Sequence, residues 1–228
     1  MKKEEALEEQ NLQETKYEVQ EIRDITESTY VVRLNRNGLE FRAGQHVTLG
    51  PINEVESREY SIYSGEQDDF LDVLVKEVDD GNISRKLKRV NKGDVLNFDG
   101  PVGYFTLNDE DIRNDRRFIF IGSGTGIAPF HSFVKSYPGL NYTLIHGVRY
   151  TYEAYDRQDY DPERYVLCTS RDDKGDFQGR VTEYVKKNIH DASALYYLCG
   201  NINMIYEVFD LLKLKGVPAN HLHAEVYF

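Results

Sequence analysis

The sequence predicts two domains in series: an antiparallel barrel or sandwich of about six short strands, then an α/β domain on an open, doubly wound sheet. Three observations carry this. Residues 17–107 hold short β-like runs broken by Gly, Pro and Asn, whereas residues 118–213 alternate continuous apolar runs with segments of helical period. A glycine-rich turn also follows directly on the first of those apolar runs. A chain of 228 residues could be one large domain or two modest ones. The change of rhythm across the polar stretch 108–115 points to two.

Residues 1–14 are acidic with little apolar periodicity and read as a tail. Val19, Ile22 and Ile25 open the β-like set. Tyr30-Val31-Val32-Arg33-Leu34, His46-Val47-Thr48-Leu49 and Glu59-Tyr60-Ser61-Ile62 follow. From Phe70 to Val78 the residues alternate, with Leu71, Val73 and Val75 on one face and Asp72, Leu74 and Lys76 on the other. Residues 95–98 and 104–107 read as the last strands of the set, and a helical turn or two is expected within residues 83–89. The second half has the texture of buried parallel strands with crossover helices. Its strands are Phe118-Ile119-Phe120-Ile121, Tyr142-Thr143-Leu144-Ile145, Tyr165-Val166-Leu167 and Leu195-Tyr196-Tyr197-Leu198, separated by helical periodicity over 128–136, 181–188 and 204–213.

Charge and cysteine usage narrow the function. Lys and Arg number 28 against 39 Asp and Glu, a net charge of −11, which argues against a general nucleic-acid binder. No run approaches the ~20 apolar residues of a membrane span. The N-terminus lacks an apolar signal core, so a cytoplasmic protein is expected. Two cysteines, Cys168 and Cys199, cannot form a four-cysteine zinc or iron–sulfur site, and no metal is expected.

Four short motifs could carry chemistry. Arg58-Glu59-Tyr60-Ser61 offers a forked donor for phosphate and, on the same face, a ring that can stack on a heteroaromatic system. By itself it is also an ordinary strand with a solvated arginine. Gly81-Asn82-Ile83-Ser84 opens a helical stretch whose free N–H groups suit a pyrophosphate, although an ordinary helix cap reads the same way. Gly122-Ser123-Gly124-Thr125-Gly126 links a strand to a helix, where a nucleotide phosphate can meet backbone N–H groups; the spacing is not the six-residue dinucleotide fingerprint. Cys199-Gly200-Asn201 stands at another strand's C-terminal end, facing the same crevice, unless Cys199 is merely a buried structural thiol.

Read together and in this order, Arg58-x-Tyr60-Ser61, Gly81-x-x-Ser84, Gly122-x-Gly124-Thr125-Gly126-Ile127-Ala128-Pro129-Phe130 and Cys199-Gly200 resemble the ferredoxin–NADP reductase family. The resemblance covers about residues 15–228, and Ala224-Glu225-Val226-Tyr227-Phe228 is similar to the acid-plus-aromatic ending of its reductases. It implies a six-stranded antiparallel Greek-key β-barrel for FAD over residues 15–110, then an α/β open parallel sheet for NADP(H) over residues 111–228. By this resemblance Arg58 holds the FAD pyrophosphate, Tyr60 packs on the flavin ring and Ser61 lies beside flavin N5. Leu74, Val75 and Lys76 border the ring and ribityl chain, while Gly81, Asn82, Ile83 and Ser84 donate N–H groups to the pyrophosphate. Thr125 sits between flavin and nicotinamide, with Gly124 and Gly126 allowing close approach. Cys199 and Glu225 flank the nicotinamide C4, so Ser61, Cys199 and Glu225 are the expected catalytic residues. Tyr227 and Phe228 form an aromatic cover over the flavin, or else a terminal strand packed on the sheet.

Arg149, Ser170, Arg171 and Arg180 suit a nucleotide 2′-phosphate, since guanidinium pairs bidentately with it; Asp176 stands about where plant relatives place an adenine-stacking tyrosine. The expected electron partner is a ferredoxin or flavodoxin, steered by Arg85, Lys86, Lys88, Arg89 and Lys92 unless these are simply a solvated face. His131 is expected to be a helix-surface histidine. The resemblance leaves three alternatives: a free-flavin reductase, the reductase component of an oxygenase, and a non-catalytic nucleotide-binding regulator on the same fold.

Overall fold

The computed structural model describes residues 16–52, 54–78 and 81–227. The acidic stretch 1–14 and Phe228 lie outside the described residues.

The first sheet is antiparallel and has six strands: β1 (Tyr17–Asp24), β2 (Thr29–Asn35), β3 (His46–Pro51), β4 (Arg58–Ser61), β5 (Phe70–Lys76) and β6 (Val95–Val102). They lie in the order β4-β3-β6-β1-β2-β5, so β6 returns to lie between β3 and β1, as in a Greek key. The edges meet where Ile62, just past β4, bridges Val73 of β5 and Tyr63 N–H donates to Asp72 O at 2.7 Å. β5 keeps the expected alternation: Leu71, Val73 and Val75 fill the barrel with Val32, Leu34, Val47 and Leu49. Its other face meets the second domain rather than water. Leu74 packs there with Val31 and Tyr63, and buried Asp72 takes a forked pair of bonds from Arg33, both 2.8 Å. The expected helix within 83–89 is α1 (Asn82–Leu87).

The residues 104–107 are not a strand. They alternate because Phe105 and Leu107 enter the core between the sheets, against Phe130, Phe133 and Tyr197, while Tyr104 is fully exposed. A short helix, α2 (Asp109–Arg113), follows, capped by Asn108.

The second sheet is wholly parallel: β7 (Phe118–Ser123), β8 (Tyr142–Val148), β9 (Tyr165–Thr169), β10 (Phe177–Gln178), β11 (Leu195–Asn201) and β12 (Leu222–Tyr227). Helices α3 (Ala128–Ser136), α4 (Val181–Asn188) and α5 (Ile202–Leu214) cover it. The order β10-β9-β8-β7-β11-β12 steps one way from β7 to β10 and the other way from β11 to β12. The reversal between β7 and β11 opens the crevice in which such sheets bind ligands. Two edge strands, β10 and β12, go beyond the four apolar runs visible in the sequence.

His131 is buried, not on the helix surface as expected. Seven of the nine residues of α3 are buried, because the helix is wedged between its own sheet and the barrel. The imidazole stacks on Tyr63 at 3.8 Å and meets Tyr63 O at 2.6 Å and Asp159 Oδ2 at 2.9 Å. Beside it, Asp156 accepts a forked pair of bonds from Arg23 of β1, at 2.9 and 2.7 Å, and one from the Tyr63 hydroxyl at 3.0 Å. Barrel and α/β domain are therefore tied by buried charge as well as by aromatic packing.

Candidate active site

The glycine-rich turn after β7 forms a 3-10 turn, Gly124–Ile127, that runs into α3. Its glycines do different jobs. A Cβ at Gly126 would stand 2.4 Å from Cys199 O, so the turn can lie against the end of β11 only without a side chain. Gly124 has φ +55° and open space around its missing side chain, so it is the glycine that faces the crevice. From the β11 side, Gly200 (φ +123°) would drive a Cβ to within 2.5 Å of Ser123 Oγ, and that hydroxyl accepts the Asn201 N–H at 3.0 Å. His146 of β8, fully buried, holds Gly124 O from behind, and burial lowers its pKa to about 4.

These elements line a cleft of about 640 Å³, together with Lys76, Arg149, Ser170, Arg180 and Tyr227. Arg149, Arg171 and Arg180 are exposed and form no ion pair among the described residues. Arg171 does not line the cleft, but its N–H donates to Arg149 O at 2.8 Å and joins the two loops. Glu153, largely buried, accepts the N–H groups of Arg149 and Tyr150 at 2.9 and 3.0 Å and meets Lys76 Nζ at 3.4 Å. Nothing in the sequence marked Glu153. Asp176 is committed elsewhere, accepting from Leu167 N–H and from Arg157.

Ser61, Cys199, Glu225 and Tyr227 come together beside this cleft, of which Tyr227 is a lining residue. The Tyr227 hydroxyl donates to Ser61 Oγ at 2.6 Å, and Ser61 donates to Glu225 Oε2 at 3.0 Å. Tyr227 also hydrogen-bonds the Cys199 thiol. Burial pushes the Glu225 carboxyl above its ordinary value, opposed by the Ser61 hydrogen bond and then by His46, whose Nδ1 is 3.8 Å from Oε1. Burial raises the Cys199 thiol well above 9, so it is no ready nucleophile. Cys199 is fully buried and does not line the cleft; Tyr227 stands in that place. Tyr227 is the last residue of β12, opposite Asn201.

On the barrel side Arg58 is exposed with no acidic partner among the described residues, while Tyr60 packs on the barrel core. Lys76 reaches the cleft, but Leu74 and Val75 are buried in the inter-domain and barrel cores, so only their backbone can face a ligand. The same holds for Ile83. Asn82 donates to Glu56 at 2.9 Å, Ser84 Oγ accepts Val78 N–H at 3.3 Å, and Gly81 precedes a helix start without a side-chain cap. Three of the five cations of the basic stretch 85–92 have acidic partners. Lys86 pairs with Glu54, Lys88 with Asp24 and Glu77, and Arg85 with Glu77. The donor set suits phosphate-bearing nucleotides: unpaired guanidiniums, a lysine and open backbone around Gly124.

A family model for an oxidoreductase FAD-binding domain matches residues 16–107, and one for an oxidoreductase NAD-binding domain matches residues 120–209. The chain belongs to the ferredoxin–NADP reductase family. The reductase subunit of an aromatic O-demethylase from an Amycolatopsis species is 30% identical, over 92% of this chain and 68% of its own. A flavohemoprotein of Halalkalibacterium halodurans is 26% identical over 82% of this chain, which spans about half (52%) of that protein's length. In fold, this ferredoxin–NADP reductase family member matches a ferredoxin NADP⁺ reductase from Neisseria gonorrhoeae solved with FAD and NADP, at a TM-score of 0.84 and 24% identity over 94% of this chain and 98% of that one. The two-domain architecture expected from the sequence is thus borne out. Among the described residues, no helix is long and apolar enough to cross a membrane.

Proposed function

We propose that the chain is a ferredoxin– or flavodoxin–NADP reductase, moving hydride between NADP(H) and FAD and single electrons between FAD and the protein acceptor. Residues 15–110 are the FAD unit and residues 111–228 the NADP unit. The observation that carries this is the cluster of Ser61, Glu225, Tyr227 and Cys199 at the cleft where β7 and β11 diverge. FAD and NADP(H), when bound, supply the hydride and one-electron chemistry.

The residues supply binding, orientation and proton handling. Arg58 and the start of α1 hold the flavin pyrophosphate, and Tyr60 packs on its ring. Gly124, Thr125 and the N–H groups of the turn receive the nicotinamide nucleotide. Arg149 and Arg180, which form no ion pair among the described residues, select a 2′-phosphate and hence NADPH over NADH. Glu153 positions the Arg149 loop from below and reaches Lys76 of the flavin-side strand. Ser61 and Glu225 would keep a hydroxyl and a carboxyl beside the reacting ring, the Ser61 hydroxyl donating to Glu225 Oε2. Tyr227 excludes water from Cys199 until the nicotinamide replaces it.

A second reading, the reductase component of an oxygenase, is favoured by the Amycolatopsis relative. This chain's two cysteines, both free and buried, would then leave any iron–sulfur centre to another chain or domain. The test is a visible spectrum of the purified protein through an anaerobic NADPH titration. Retained FAD that bleaches with about one equivalent supports the proposal. Weakly held flavin that exchanges freely points to a free-flavin reductase. A protein that stays colourless after FAD is added overturns both electron-transfer readings and favours a nucleotide-binding regulator.

A further inference from the structure

Lys76 and Glu153 form an ionic contact between the two domains in which both members line the cleft. Arg23–Asp156 also joins the domains, but neither of its residues reaches the cleft. Lys76 is the last residue of β5, and its Nζ lies 3.4 Å from Oε1 of Glu153. The other carboxylate oxygen, Oε2, accepts the N–H groups of Arg149 and Tyr150 at 2.9 and 3.0 Å. One side chain therefore ties the flavin-side strand to the backbone of Arg149. The Glu153 side chain is only 10% exposed, against 32% for Lys76, so its charge depends on these partners. The other bonds on this loop come from its own domain. Arg171 N–H donates to Arg149 O at 2.8 Å, and Thr151 N–H donates to Asp172 Oδ2 at 2.7 Å. They hold the loops after β8 and β9 to each other, not to the barrel.

We propose that Lys76 and Glu153 act as one unit that sets the preference for a 2′-phosphate from the flavin side of the cleft. The inference rests on the reading of Arg149 as a 2′-phosphate ligand. Glu153 is the positioning residue for Arg149, and Lys76 is the counter-charge that keeps the carboxylate in place. A carboxylate so little exposed, once deprived of its cation, is an uncompensated charge that turns toward water. It then no longer fixes the two N–H groups, and the start of the Arg149 side chain shifts with them. Forked pairing of a guanidinium with phosphate tolerates little displacement. Loss of Lys76 should therefore be felt specifically at the 2′-phosphate. A lysine that only bound phosphates common to all nucleotides would weaken every nucleotide alike.

Calorimetric titration of the purified protein with adenosine 2′,5′-bisphosphate and with adenosine 5′-phosphate tests it, since these probes differ only in the 2′-phosphate. The wild type should bind the bisphosphate about tenfold or more tightly. Lys76→Gln and Glu153→Gln should each shrink that preference about fivefold or more, with binding of the monophosphate within about twofold of wild type. Lys76→Arg, which keeps the cation, should retain the preference. The double variant should lose no more than the worse single one. The ¹⁵N–¹H resonances of Arg149 and Tyr150 should shift in Lys76→Gln, which checks the path even if Glu153→Gln does not fold. Equal weakening of both probes in Lys76→Gln, an unchanged preference, or losses that add in the double variant each overturn the unit. They leave the reading of Arg149 intact. A wild type without preference overturns the 2′-phosphate reading itself, and the proposal with it, while the flavin titration still decides the reductase reading.

Discussion

Nε2 of His146 lies 2.9 Å from the carbonyl oxygen of Gly124, and Nδ1 lies 2.7 Å from the hydroxyl of Tyr165. The imidazole is therefore neutral, donating from Nε2 to the glycine turn and accepting at Nδ1 from the tyrosine. The unfolded chain titrates this histidine near 6.5, the folded one at about 4. As pH falls the unfolded state takes the proton first. The stability that depends on a neutral His146 is complete above pH 6.5 and is lost toward pH 4, by up to roughly 3 kcal/mol. Denaturant titrations across that window should show the loss in wild type and a much flatter profile in His146→Gln. Equal profiles would remove His146 as the cause.

Glu225 behaves oppositely. Its folded carboxyl is raised by burial, so the stability it contributes is complete below its ordinary value near 4.5 and is lost as pH rises through the raised one. Glu225→Gln should be more stable than wild type at pH 8 and no more stable at pH 4. A variant weaker at both pH values would mean that the hydrogen bond from Ser61 outweighs the buried charge.

The barrel and the parallel sheet were largely legible in the sequence, because their signals are local. Continuous apolar runs make β7, β8, β9 and β11, and glycines mark the turns where backbones touch. What escaped is what long-range packing creates. The residues 104–107 alternate like a strand, yet the pattern serves an inter-domain core. β12 (Leu222–Tyr227) carries no apolar run and is recognisable only beside β11. His131 and Asp156 look like surface residues until barrel and α/β domain meet around them. The Ser61–Glu225 bond joins residues 164 positions apart, so the resemblance could name its members while their contact had to come from the fold.

Cys199 is buried in the sheet and hydrogen-bonded to Tyr227. Iodoacetamide labelling followed by mass spectrometry should find Cys199 inert in the wild type without added nucleotide. Tyr227→Ala should raise its labelling rate at least tenfold. An unchanged rate would place the shield elsewhere.

Arg149 and Arg180 form no ion pair among the described residues. Replacing either with Ala should weaken NADPH binding by about 10- to 100-fold, as loss of a charge-assisted bond worth ~1.5–3 kcal/mol. NADH binding should stay within twofold. Calorimetric titration with both coenzymes separates these effects, and an equal loss for the two would mean that the arginines do not read the 2′-phosphate.

In the proposed reductase, Ser61→Ala and Cys199→Ser should slow the NADPH-driven bleaching of flavin far more than they weaken NADP⁺ binding, because both residues bond Tyr227 behind the cleft and neither is among its lining residues. Stopped-flow rates set against equilibrium binding decide this. Unchanged single-turnover rates in both variants would take these residues out of the mechanism.

In the proposed reductase the bonds from Tyr227 to Ser61 and Cys199 would also set an upper bound on apparent coenzyme affinity. In that reductase a nicotinamide ring would reach Cys199 only in the fraction of molecules from which the tyrosine has withdrawn, so the observed dissociation constant would be the intrinsic one divided by that fraction. Each 1.4 kcal/mol by which the two contacts favour the covered arrangement weakens the apparent affinity about tenfold. The same bias returns the ring once the oxidised coenzyme lets go. Tyr227 closes an edge strand bonded on one side only, to β11. Occupancy can therefore alternate between tyrosine and nicotinamide without separating the charged contacts that bind the two domains together.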